Sequence, residues 1–110
     1  MESDYLVVLI TAPRENAHHI ARHLVENRLA ACVNILPEVH STYHWEGEVH
    51  SDTESLLMVK TTTQLFEAVS STVREIHPYS VPEIIALPIT AAYDGYLRWI
   101  SEQTKPVCKE

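Results

Sequence analysis

The stretch from Ala31 to Thr61 restricts this chain more than any other, because it reads as extended almost throughout. Only Pro37 and the turn candidate Glu46-Gly47 interrupt it. The first arm opens with the apolar run Ala31–Leu36 and goes on in alternation through Val39, Ser41, Tyr43 and Trp45. Such alternation marks a strand with two unlike faces. The second arm returns from Glu48 and ends in Leu56-Leu57-Met58-Val59. Each arm holds about 14 residues, against a usual strand length of about 5–6. At about 3.3 Å per residue an arm is roughly 46 Å long. A compact chain of 110 residues is only about 35 Å across. The hairpin must therefore bend, carry a bulge or project beyond its own domain. A projecting ribbon would hold Tyr43, Trp45 and Val49 in water beside unpaired strand edges, which soluble monomers avoid. Association into a closed ring of identical chains removes both problems. The alternative is a hairpin that curls back over its own sheet.

The segments around the hairpin complete a known plan. Tyr5 to Ile10 is a continuous apolar, β-branched run, the pattern of a central strand. Pro13 opens a helix, where its missing N–H costs nothing. Ala17, Ile20, Ala21, Leu24 and Val25 form its buried stripe, with Glu15, His19, Arg22, His23 and Glu26 on the wet face. Thr62 or Thr63 is placed to cap a second helix, whose core stripe is Leu65, Phe66, Val69, Val73 and Ile76. His77-Pro78 stops it, since proline disfavours the α conformation in the residue before it. A last strand runs from Glu83 to Thr90, and Pro88 within it argues for a sheet edge or a bulge. A short helix from about Tyr93 to Gln103 carries Tyr96, Leu97 and Ile100 inward. The order β-α-β-β-α-β-α predicts an α+β fold, a ferredoxin-like βαββαβ sandwich with an extra C-terminal helix and a long β2-β3 hairpin. Residues 1–110 form one domain, with a core of about residues 4–102 and a loose tail over 104–110.

The formal charge of −7, from 15 acids against 8 bases, repels nucleic acid and anionic membranes and attracts cations. Seven histidines add nitrogen donors. The two cysteines, Cys32 and Cys108, imply no disulfide framework. The acidic start Met1-Glu2-Ser3-Asp4 lacks the basic region of a signal peptide, and no apolar run approaches the ~20 residues that span a bilayer. The expected location is the cytoplasm, with no membrane partner.

With Gly47 and Gly95 as the only glycines, neither a P-loop nor a dinucleotide fingerprint can be written. Cys-x-x-Cys, His-Glu-x-x-His and EF-hand patterns are absent too. The chain is expected to bind a ligand rather than to act as an enzyme. His19 and His23, four apart on a helix, can reach one metal ion, and Glu15 lies one turn earlier on the same face. The plainer reading is a solvated face that carries imidazoles. His40 and His44 share parity on the first arm, and His50 faces Tyr43 across the turn on the other side, so one chain does not unite the three. Cys32, set in Ala30-Ala31-Cys32-Val33, reads as a small buried hydrophobe or a soft copper(I) ligand. The densest polar motif is His77-Pro78-Tyr79-Ser80-Val81-Pro82-Glu83. Its imidazole and carboxylate, His77 and Glu83, can hold a metal or transfer a proton. Equally, His77 caps the helix while Tyr79 and Glu83 pin the turn.

Five ordered motifs carry a resemblance: Ala30-Ala31-Cys32-Val33-Asn34-Ile35, Tyr43-x-Trp45-x-Gly47, Lys60-Thr61, His77-Pro78-Tyr79-x-x-Pro82-Glu83 and Tyr96-Leu97-x-Trp99. With the opening Leu9-Ile10-Thr11-Ala12-Pro13, they resemble the CutA family of divalent-cation tolerance proteins over about residues 4–102. The resemblance implies a ferredoxin-like homotrimer joined by strand pairing through the hairpin that bears Tyr43 and Trp45. It also implies a role in tolerance to copper and other divalent metals, with a divalent metal as possible cofactor. Where the family's copper ligands are assigned, they are a cysteine ending the first strand and two histidines before Pro-Tyr. Ile10 and Ile76 stand at two of those positions here, and only His77 matches, so copper would use His77 with Glu83, groups of another subunit or the surface histidines. Two further readings stay open. One is a signalling trimer similar to the PII nitrogen-regulatory proteins, with Lys60, Arg74 and Tyr79 meeting an anion in a cleft between subunits. The other is a structural or anchoring trimer whose ligand is another protein.

Overall fold

The computed structural model describes residues 3–105. The elements run β1 (Tyr5–Ala12), α1 (Arg14–Glu26), β2 (Cys32–Trp45), β3 (Glu48–Thr62), a 3-10 turn (Thr63–Leu65), α2 (Phe66–Ile76), β4 (Ile84–Pro88) and α3 (Asp94–Gln103). The four strands form one antiparallel sheet in the order β2-β3-β1-β4. This is the expected α+β, ferredoxin-like arrangement. The apolar β1 lies between β3 and β4, and Pro88 falls on the edge strand, where a missing donor is tolerated.

Strand parity sorts the side chains. Val8 and Ile10 of β1 and Leu57 and Val59 of β3 point toward α1 and α2, where they meet Ile20, Leu24, Val69 and Val73 in the core. Burying each such side chain contributes about 1.5–3 kcal/mol. The opposite face, with Leu9, Leu36, Leu56, Met58, Ile85 and Leu87, is only partly covered. α3 packs against β3 with Ile100 fully buried.

The long hairpin is real, and it both bulges and projects. Leu36 pairs with Leu56 and Val39 with Glu54, so Pro37 and Glu38 stand opposite Ser55 alone. Proline brings no N–H to the ladder, which makes position 37 a natural place for a bulge. The Ser55 hydroxyl donates to the Pro37 carbonyl at 2.9 Å and pins the distortion. Beyond the bulge the parity reverses. Tyr43 and Trp45, rather than His40 and His44, now share the open face with Glu54. Trp45 pairs with Glu48 across a two-residue turn in which Glu46 (φ 53) and Gly47 (φ 83) are both left-handed, the geometry that suits strand twist.

Several local expectations are corrected. Pro13 precedes α1 instead of opening it. Thr62 and Thr63 make no side-chain cap, and the Thr63 hydroxyl donates instead to the Ser3 carbonyl. Val25 is 40% exposed, because β2 is the sheet edge and the residue faces an open groove beside Val33 and Ile35. Tyr96 is exposed and stacks on Trp99 rather than entering the core. Cys32 is only half-buried, because its parity turns it away from α1 and α2, along with Asn34 and Leu36, and toward Tyr96 of α3. Thr104 is buried and its hydroxyl donates to the Ile100 carbonyl, so order extends to the start of the supposed tail. The rest of that tail, 106–110, and with it Cys108, lies outside the described residues.

Candidate functional site

α2 ends at His77, whose N–H donates to the Val73 carbonyl at 2.8 Å while its backbone turns extended ahead of Pro78. The ring then tucks under the end of β1 and is 8% exposed. Nε2 lies 2.7 Å from the Thr11 carbonyl oxygen, and Nδ1 lies 3.1 Å from the Tyr79 amide nitrogen. A carbonyl only accepts and an amide only donates, so the ring is the neutral Nε2–H tautomer with both nitrogens in use. Its one free lone pair, on Nδ1, already accepts from the Tyr79 amide and is not open to a metal. Among the described residues no hydrogen bond joins His77 to Glu83, which is exposed. The expected pair thus stands as a buried imidazole engaged within its own chain and an exposed carboxylate. Ile10 is fully buried and Ile76 packs against the core, so apolar packing fills both neighbouring positions.

What His77 positions is Tyr79. The two rings lie 4.7 Å apart, and the Tyr79 hydroxyl donates to Glu54 Oε1 at 3.1 Å. Burial, then the bond to Glu54 and that carboxylate's charge, push the Tyr79 phenol up to about 12. Glu54 is 6% exposed and, among the described residues, has no basic group within salt-bridge distance. Burying a carboxylate without a cation is costly. The parity change at the bulge puts Glu54 under Tyr43 and Trp45. The result is a cleft of about 710 Å³ between the hairpin and the 79–83 loop, lined by Thr11, Tyr43, Trp45, Glu54, Tyr79 and Glu83 among others. On its rim the Tyr43 hydroxyl donates to Asp52, and that bond raises the Tyr43 phenol. His50 stacks on Tyr43 at 5.7 Å, on the side of the ribbon expected for it.

Sequence reasoning singled out Glu83 and Tyr79 and missed Glu54. One signal was available: Glu54 alternates with the apolar Leu56 and Met58 on β3, so the carboxylate shares a strand face with two apolar side chains.

The groups expected to meet an anion between subunits lie apart within one chain. Lys60 shares the open face with Glu54 but lies six residues further along β3, roughly 20 Å away. Its ammonium donates to Asn34. Arg74 sits exposed on α2, on the other side of the sheet, and donates to the Ser70 carbonyl. Among the described residues no three histidine, cysteine or acidic side chains come together as a ready metal cage. No helix of the described residues is long and apolar enough to cross a membrane.

Comparison with known proteins gives a consistent result. The family model described as CutA1 divalent ion tolerance protein matches residues 6–103. The divalent-cation tolerance protein CutA of Thermus thermophilus is 56% identical over 99 residues, which span 89% of this chain and 96% of that protein. A chloroplastic CutA protein of Arabidopsis thaliana is 48% identical over 101 residues, covering 91% of this chain and 56% of its own length. A solved structure of the Thermus thermophilus protein superposes with a TM-score of 0.89 at 54% identity, over 92% of this chain and 99% of the other.

Proposed function

The chain belongs to the CutA1 divalent ion tolerance family, and from that premise we propose that it is a homotrimer that binds divalent cations and turns over no substrate. One observation carries the cation reading: Glu54, a carboxylate 6% exposed, opens on a cleft with a second carboxylate, Glu83, and no basic side chain in its lining. Carboxylate oxygens with a phenol nearby suit hard divalent ions such as Mn²⁺ or Mg²⁺. A single chain offers too few donors there, so the site is completed by water or by a neighbouring subunit. His77 holds Tyr79 and the loop in place, and Glu83 supplies a donor. Tyr79, protonated at neutral pH, donates to Glu54 and is no general base. This supports binding over catalysis.

Copper is the finer part of the proposal. Imidazole suits copper better than carboxylate does, and with both nitrogens of His77 in use the exposed histidines must supply it. The cytoplasm remains the proposed location for this chain, although the plant relative is named chloroplastic. For a PII-like anion site at Lys60 and Tyr79, the cleft has the wrong charge. An anchoring trimer has no specific feature in its favour.

Calorimetric titration of the metal-free protein with Mn²⁺ tests the cleft. Saturable binding is expected, weakened by at least about tenfold in Glu54→Gln, as loss of a ligand should exceed loss of its supporting partner. Equal affinity in wild type and variant would remove Glu54 from the site.

A further inference from the structure

We propose that His19 and His23 form a second, separate metal site on the outer face of α1, for a borderline ion of the Cu²⁺, Ni²⁺ or Zn²⁺ class. Ala17, Ile20, Ala21 and Leu24 fix the buried side of this helix. His19 is exposed on the opposite side and His23 half-exposed. Their ring centres are 6.0 Å apart with an interplanar angle of 44°. An ion bonded to one nitrogen of each ring at about 2.0–2.1 Å sits about 3.2 Å from each ring centre, so a tetrahedral angle at the ion sets the centres about 5.2 Å apart. The observed spacing of 6.0 Å is slightly wider, a difference that side-chain rotation closes. The helix holds both residues in reach of one ion, because residues four apart stand one above the other.

The surroundings favour an ion here over other histidines. Among the described residues neither ring of the pair is held by a hydrogen bond, whereas His77 uses both nitrogens and His40 meets Glu38 at 3.2 Å. The next position along the same face is the exposed carboxylate of Glu15. The one basic side chain within a turn, Arg22, is paired with Glu26 at 2.7 Å. Two imidazoles with one carboxylate beside them match the borderline ions, while the cleft's oxygen donors do not. α1 also covers the face of the sheet opposite to the hairpin aromatics, so a ring of chains joined through the hairpin leaves it in solvent.

The test is Cu²⁺ titration of the full-length, metal-free protein, followed by calorimetry and by electron paramagnetic resonance. The expected result is one Cu²⁺ per chain with a signature of two nitrogen ligands. Affinity should fall at least tenfold in His19→Ala and in His23→Ala, and remain unchanged in Glu54→Gln. Both histidines face solvent and alanine is a good helix former, so unchanged circular dichroism is expected in these variants. Retained affinity and stoichiometry in the double variant would overturn the proposal, as would loss of Cu²⁺ binding in Glu54→Gln or no saturable binding in wild type. Because Mn²⁺ reports the cleft and Cu²⁺ the imidazole pair, failure of one reading is distinguishable from failure of the other.

Discussion

His77 fills the place of a metal ligand and does the work of a strut. It ties the end of α2 to Thr11 of β1 and orients the Tyr79 amide. In His77→Ala the Thr11 carbonyl would lose a buried donor, which costs about 1–3 kcal/mol. Denaturant unfolding should show that loss, and where the variant is folded its Mn²⁺ affinity should fall less than that of Glu54→Gln. Unchanged stability with lost metal binding would make His77 a ligand after all. Tyr79 gives a second signature. Its folded pKa of about 12 lies above the ordinary tyrosine value of 10.0, so the contribution is fully present below the unfolded value. It fades as pH rises through the folded value, a window of about 10 to 12. Thermal stability followed across that range should fall less steeply in Tyr79→Phe than in wild type, and phenolate absorbance should show Tyr79 ionising earlier in Glu54→Gln.

The long hairpin shows what a sequence discloses at the level of elements and what it withholds. Its arms, its turn and the stop at His77-Pro78 were legible, because alternation, a lone glycine and a proline each act on their own neighbours. The bulge was foreseen as one of three ways to fit the arms, but its place was not. That place depends on which strand Pro37 faces, a property of pairing rather than of local pattern. Since the bulge reverses parity, the partnership of Glu54 with Tyr43, Trp45 and Tyr79 was hidden with it. Val25 and Tyr96 were misjudged for the same reason: helical spacing tells which face is apolar, not whether the sheet reaches far enough to cover it. The turn supplies the test at this scale. Glu46 holds φ 53 without being glycine, and left-handed backbone costs an ordinary L-residue about 1–2 kcal/mol. Glu46→Asn should therefore stabilise the protein by up to about 1 kcal/mol. Gly47→Ala should destabilise it by a similar amount through backbone conformation alone, since a Cβ at Gly47 would meet nothing within 4 Å. Unfolding midpoints of the two variants should move in opposite directions.

For the molecule as a whole, shape and surface point the same way. The chain measures 44 × 27 × 24 Å with a radius of gyration of 14.6 Å, against about 13 Å for a compact domain of about this size. The excess follows from a hairpin whose tip exposes Tyr43, Trp45 and Val49, the last by 65%. Ile85 and Leu87 add apolar surface on the open side of the sheet, at 50% and 51% exposure. Clasping identical chains would cover the tip and complete the strand edges. It would also set a neighbouring subunit beside the cleft, as one of the two sources of the donors that Glu54 and Glu83 leave missing. Val49→Glu at the tip should weaken association without disturbing the core. Sedimentation equilibrium of the wild-type protein at micromolar concentration tests assembly most directly. The expected result is a single species of three times the 12.5 kDa chain mass; a stable, fully folded single chain under those conditions would contradict it.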